Sequence, residues 1–175
     1  MLSEWYDFNK YSIFYLIIGW VLITLAITSL VIINYLVVDY QLIMLFFVAI
    51  WATDIFAMLA GQNIGGIKLA PTISPNKTWS GFIVGVLAAG LTVFFVSTII
   101  GHPTIYDLSV FAIMPLYVYS VCLGMIAQIS DLFVSYFKRK ANLKDSGNLI
   151  PGHGGVLDRF DSFILCGPTL LLFIL

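Results

Sequence analysis

Apolar residues run through this chain in long blocks separated by short polar stretches, and the block lengths set the first expectation. Tyr11 to Val38 contains no charged residue. At 1.5 Å per residue about 20 helical residues cross the hydrocarbon of a bilayer, so this block predicts a first span. Asp39, Tyr40 and Gln41 make a short turn, and Leu42 to Ala60 predicts a second span with a single acid, Asp54. Residues 61–80, GQNIGGIKLAPTISPNKTWS, are punctuated by Gly and Pro and read as a loop. Phe82 to Ile100 predicts a third span and Gly101 to Asp107 another short turn. The run from Leu108 to about Phe137 is either one tilted helix or a helix broken near Pro115. Ser162 to Leu175 starts a fifth span whose 14 residues reach only about 21 Å against a core of about 30 Å, so the chain reads as short at this end.

Composition agrees with the pattern. Of 175 residues, 61% are hydrophobic and 10% charged, well above the roughly 45 to 50% apolar content of a soluble domain. The expected fold class is therefore all-α: a polytopic transmembrane helical protein with about five spans, forming one domain over residues 1–175. The lead-in MLSEWYDFNK carries two acids and one Lys, and the apolar run behind it is too long for a cleavable signal, so the first span serves as the membrane signal. Trp5 and Tyr6 suit the interface. Cys122 and Cys166 are isolated in apolar runs and read as small buried hydrophobes.

Charge changes the picture more than composition does. The net charge is −1, yet apart from Lys10 every Lys and Arg lies in two stretches, Lys68 to Lys77 and Lys138 to Arg159. Five spans place both stretches and the N-terminus on one side, which then holds all eight Lys and Arg. The positive-inside rule makes that side cytoplasmic, where nucleoside triphosphates are available. Positive charge this local, this close to spans, argues against nucleic-acid binding.

The window Ser135 to Asp161, SYFKRKANLKDSGNLIPGHGGVLDRFD, concentrates the chemistry. Lys138, Arg139, Lys140 and Lys144 precede a turn in which Gly152, Gly154 and Gly155 flank His153. Cations beside glycines let side chains and backbone N–H groups converge on phosphate oxygens. Asp158 adds a hard oxygen ligand of the kind that holds Mg²⁺ together with substrate phosphates. A nucleoside triphosphate and an anionic lipid headgroup both fit, as does a polybasic loop resting on anionic lipid. Asp131 lies near the end of the fourth apolar run, with Ser135 one turn along the same face; Asp131 and Asp158 form the candidate metal pair, unless Asp131 merely pairs with Lys138 or Arg139. Asp54 within a span is either functional or an acid snorkelling to the interface. Lys68 and Lys77 can neutralise phosphate, and Ser74 and Thr78 can donate hydroxyl hydrogen bonds. His153 is a phosphate donor, a proton-transfer group or a structural loop residue.

Ser135, Lys138, Arg139, Lys144, Asp145, Gly147, Pro151, His153, Gly154, Gly155, Asp158, Arg159 and Asp161 fill the signature of the phosphatidate cytidylyltransferases (CDP-diacylglycerol synthases), which this window resembles. Asp54, Ala57 and Gly61 resemble that family's corresponding span, with Met58 in place of the usual aromatic residue. Gly65, Lys68, Leu69, Pro71, Ser74, Pro75, Lys77, Thr78 and Gly81 resemble its middle motif. Ser80 stands where the family has Glu, and Ser130 where it has Gly. The resemblance implies an integral membrane enzyme of a bacterial-type inner membrane that joins CTP to phosphatidate, with Mg²⁺ and a second cation as cofactors, membrane lipids as surroundings and a homodimer as assembly. It also implies further spans at the N-terminus, so the chain reads as short there too. Carried onto this sequence, the catalytic residues are Asp131, Asp158, Lys144, His153 and Arg159. The substrate-binding set is Lys68, Ser74, Lys77, Thr78, Ser135, Lys138, Arg139, Asp145, Gly154, Gly155 and Asp161, and the metal ligands are Asp131 and Asp158, with Asp54 as a third or as the residue that orients a lysine. The alternatives are a CTP-dependent enzyme acting on another lipid phosphate and an inactive homologue that binds lipid or a membrane partner. A transporter fits poorly, because polar residues gather in the loops.

Overall fold

The computed structural model describes residues 10–36, 40–101, 110–140 and 157–174, with backbone only for 10–16, 36, 110–115, 157, 159 and 174. In chain order the elements are α1 (Lys10–Leu36), α2 (Tyr40–Asn63), β1 (Lys68–Ala70), β2 (Ser74–Thr78), α3 (Trp79–Ile100), α4 (Val110–Lys140), α5 (Leu157–Phe160) and α6 (Phe163–Ile174). Among the described residues four helices are long and apolar enough to cross a membrane, and α6 is a shorter apolar helix. The protein is a polytopic helical membrane protein, as the apolar blocks predict.

The helices pack through small residues. With lipid outside as apolar as the inside, helices associate where their backbones can come close. On α3, Gly81, Gly85 and Ala89 recur every fourth position and are all buried. A Cβ at Gly81 would lie 2.6 Å from the Ala57 carbonyl oxygen of α2, and one at Gly124 of α4 would lie 3.0 Å from Ala89 Cβ. The result is a tight α2–α3–α4 unit. α6 packs chiefly on α1 and also on α4; a Cβ at Gly167 would come within 2.9 Å of Ser29 Oγ. Large apolar side chains left outside, such as Trp20 at 73% and Ile99 at 82% exposure, are the surface that lipid covers.

Three boundaries differ from the sequence reading or decide what it left open. Residues 61–80 are not simply a loop. α2 continues to Asn63, and Gly65 and Gly66, at φ 64° and 103°, turn the chain through the left-handed region that glycine adopts freely. β1 and β2 then form an antiparallel hairpin with Lys68 opposite Thr78 and Ala70 opposite Ser74. α4 is one continuous helix through Pro115. It also runs to Lys140, so Lys138, Arg139 and Lys140 form its last turn rather than the start of a loop, where positive charge complements the helix dipole.

Candidate active site

A cavity of about 710 Å³ opens between the C-terminal half of α2, the hairpin, the first turn of α3, α4 and the α5–α6 junction. α2 gives it Asp54, Ala57, Met58, Gly61 and Gln62, positions spaced i, i+3, i+4, i+7 and i+8 that share one helical face. The hairpin supplies Lys68, Asn76, Lys77 and Thr78, α3 supplies Gly81 and Phe82, α4 supplies Gln128 and Asp131, and the α5–α6 junction supplies Asp158, Asp161 and Ser162.

Four carboxylates thus face one space, each held differently. Asp131 Oδ2 pairs with Lys77 Nζ at 2.6 Å, and its Oδ1 accepts from Ser135 Oγ at 3.2 Å. That pairing with Lys77 replaces the alternatives Lys138 and Arg139. Lys138 Nζ instead bridges Asp158 Oδ1 at 2.8 Å and Asp161 Oδ2 at 3.8 Å. Asp54 accepts from Ser162 Oγ, 3.1 Å to Oδ2 and 3.3 Å to Oδ1, which fastens α2 to the start of α6. Burial pushes the Asp161 carboxyl up from its ordinary value, with the Asp131 carboxylate adding to the shift and Lys138 opposing it. Carboxylates this close, with Lys77 and Lys138 already engaged, leave an excess of hard oxygen donors that suits a divalent cation. Among the described residues no three acidic, His or Cys side chains converge on one point. A cation here would therefore draw part of its shell from substrate phosphates, the usual arrangement for Mg²⁺.

Other candidates fall in different places. Lys68 is exposed on the cavity rim. Thr78 lines the cavity but also caps α3, its Oγ1 accepting from Gly81 N at 3.1 Å. Ser74 pairs with Ala70 in the hairpin, and Arg139 Nε donates to Ile73 O at 3.1 Å, tying the end of α4 to the hairpin turn. Lys144, Asp145, His153, Gly154 and Gly155 lie outside the described residues, and of Arg159 only the backbone is described, in α5.

Two of the three departures from the family pattern, Ser80 and Ser130, have structural uses. Ser80 Oγ donates to Gly65 O and lies 3.0 Å from Thr78 Oγ1, closing the hairpin onto the end of α2. Ser130, fully buried, donates to Asp161 O and accepts from Leu165 N at 3.2 Å. That hydroxyl fixes the α5–α6 junction against α4.

The sequence model of the cytidylyltransferase family matches residues 1–175. This chain belongs to the cytidylyltransferase family. Among similar proteins, the phosphatidate cytidylyltransferase of Rickettsia bellii (strain RML369-C) is 52% identical over 172 residues, covering 97% of this chain and 73% of its own length. That of Rickettsia conorii (strain ATCC VR-613 / Malish 7) is 49% identical over 177 residues, covering all of this chain and 75% of its own length. The phosphatidate cytidylyltransferase of Brucella abortus biovar 1 (strain 9-941) is 42% identical over 134 residues, covering 77% of this chain and 47% of its own length. Within this family member's cavity, Gln62, Asn76, Gln128 and Ser162 are wall residues that the sequence reading passed over. Gln128 had a signal: an amide inside an apolar run, three residues before an acid, is costly in a span and needs a reason.

Proposed function

We propose that this cytidylyltransferase-family protein transfers the cytidylyl group of CTP to phosphatidate, giving CDP-diacylglycerol and pyrophosphate. The observation that supports it most is the cavity at the polar end of the spans, where Asp131, Asp158 and Asp161 meet Lys77 and Lys138 adjoins through Asp158. A lipid anchored in the bilayer can present its phosphate there while a nucleotide enters from water. A phosphate oxygen of phosphatidate attacks the α-phosphorus of CTP. The new P–O bond forms as the bond to the bridging oxygen breaks, and pyrophosphate leaves with that electron pair. A phosphomonoester has its second pKa near 6, so the nucleophile is largely ionised at pH 7 without a dedicated base. Catalysis then consists of positioning and charge neutralisation.

The chain's own residues supply both. Each ammonium has three donors. Lys77 uses two, on Asp131 and Gln128 O, and Lys138 engages Asp158 and Asp161, which leaves each lysine an N–H for phosphate oxygens. Lys68 meets the triphosphate at the rim, and Lys144, His153, Arg159 and the backbone of Gly154 and Gly155 complete the phosphate contacts. Asp131 and Asp158 hold Mg²⁺, with Asp54 as a further ligand or as an orienting acid and a second cation nearby. When bound, Mg²⁺ neutralises the charge on the phosphates. The site faces the cytoplasm, in agreement with the clustering of basic residues on that side, and the protein assembles as a homodimer.

The deciding experiment is Mg²⁺-dependent pyrophosphate release from CTP in phosphatidate-containing micelles. The unmodified chain is expected to be active and Asp131→Asn and Asp158→Asn to lose orders of magnitude. A folded unmodified chain that releases no pyrophosphate refutes the reading.

A further inference from the structure

The cavity is not charged throughout. Beside its carboxylates and lysines, Ala57, Gly81, Phe82 and Gln128 give it uncharged lining. Gln128 sits three residues before Asp131 on α4 and is only 4% exposed. An amide buried at that depth is costly unless its groups are bonded. Half of it is. Nε2 donates to Phe82 O at 3.1 Å, in a niche that glycine at position 85 leaves open, since a Cβ there would lie 2.8 Å from Nε2. Oε1 has no partner among the described residues and is not sealed away from the cavity. The bond through Nε2 holds the amide in one orientation and leaves Oε1 as its open acceptor, and Gln128 and Phe82 both line the cavity. Trp79 pins that ring edge-on, centroids 5.7 Å apart.

An acceptor needs a donor. Ionised phosphatidate and the triphosphate present acceptors; the donors on the two substrates are the cytosine amino group and the ribose hydroxyls. A planar aromatic neighbour suits a base, which stacks and presents its edge. We propose that Gln128 reads the nucleotide base, its Oε1 accepting a hydrogen bond from the exocyclic amino group of cytosine while Phe82 supports the face of the ring. Uracil carries a carbonyl oxygen at that position. Two acceptors would then face each other and neither would be satisfied. Gln128 is thus a specificity-determining residue for the reaction proposed above, on which this inference rests.

The test measures kcat/KM for CTP, UTP and 2′-deoxy-CTP in phosphatidate micelles, using the unmodified chain, Gln128→Met and Gln128→Glu. Gln128→Met is expected to lower the value for CTP by about tenfold or more while leaving UTP within about twofold. Gln128→Glu keeps an acceptor but loses the donor to Phe82 O that orients it, so it is expected to lower the value for CTP as well. Equal losses for CTP and UTP would assign Gln128 to packing alone, and a change confined to the CTP to deoxy-CTP ratio would assign it to the ribose; either overturns the proposal. Should Gln128→Met fail to fold, equilibrium binding of CTP and of its analogue lacking the amino group to the unmodified chain decides the matter. Analogue binding about tenfold weaker than CTP supports the proposal, and equal binding overturns it. That measurement needs no turnover, so it stays separate from a failure of the proposed function, which shows as absent pyrophosphate release.

Discussion

The hairpin side and the α4–α5 side of the cavity carry similar residue types and use them differently. On the hairpin side, Thr78 caps α3, Ser80 bonds Gly65 O, Ser74 lies opposite Ala70 and the hairpin turn is tied by Arg139. On the α4–α5 side, Lys138 satisfies Asp158 and Asp161 through charge, while Asp131 opposes the charge on Asp161. Lys77 joins the two, a hairpin residue whose partner is on α4. Hydroxyls beside glycines are therefore mainly carpentry on one side, while the carboxylates on the other line the cavity.

Substitutions can break this contrast or sharpen it. The largest effects belong to the charged side: Asp131→Asn and Asp158→Asn are expected to reduce turnover by at least about 10² with thermal stability in micelles nearly unchanged. If they instead unfold the protein, the carboxylates are structural and the contrast fails. Next comes packing. Gly81→Val drives a side chain into Ala57 O, already 2.6 Å from where a Cβ would sit, and is expected to cost about 1–3 kcal/mol in a denaturation series. Thr78→Ala removes the α3 cap at about 1 kcal/mol, and Thr78→Ser restores it; activity per folded molecule should stay within about threefold. A much larger loss of turnover would move Thr78 to the ligand-binding side.

The smallest effect concerns pH. Asp161 has its folded pKa raised to about 7 by burial, with Asp131 adding and Lys138 opposing. Below the ordinary carboxylate value near 4, both folded and unfolded states hold the proton and nothing differs. As pH rises from there through about 7, the unfolded chain releases its proton first, so stability falls, and the loss is complete above that range. Asp161→Asn should flatten the decline of melting temperature between pH 5 and pH 8 in metal-free buffer. An unchanged slope would show that another group sets it.

Much of this was legible in the sequence. Charge-free blocks gave the spans, because crossing hydrocarbon constrains length and composition together, and Asp54, Asp131 and Asp158 stood out as acids in or beside apolar runs. The hairpin was not legible. Its segment SPNKT contains poor strand formers, and it is held by bonds to its surroundings, such as Ser80 to Gly65 and Arg139 to Ile73, rather than by propensity. The end of α4 was misjudged because three consecutive basic residues look like a loop, although a helix C-terminus favours them. Ser130 was noticed only as a small residue; that its hydroxyl spans to Asp161 and Leu165, over 30 residues away, is a tertiary fact no local pattern encodes.

The Lys77–Asp131 and Lys138–Asp158 pairs have one more consequence. These lysines already carry built-in counterions, so a triphosphate that takes their remaining N–H groups, as proposed above, would release little salt from them. Nucleotide affinity should then weaken less steeply with ionic strength than a count of lysines suggests.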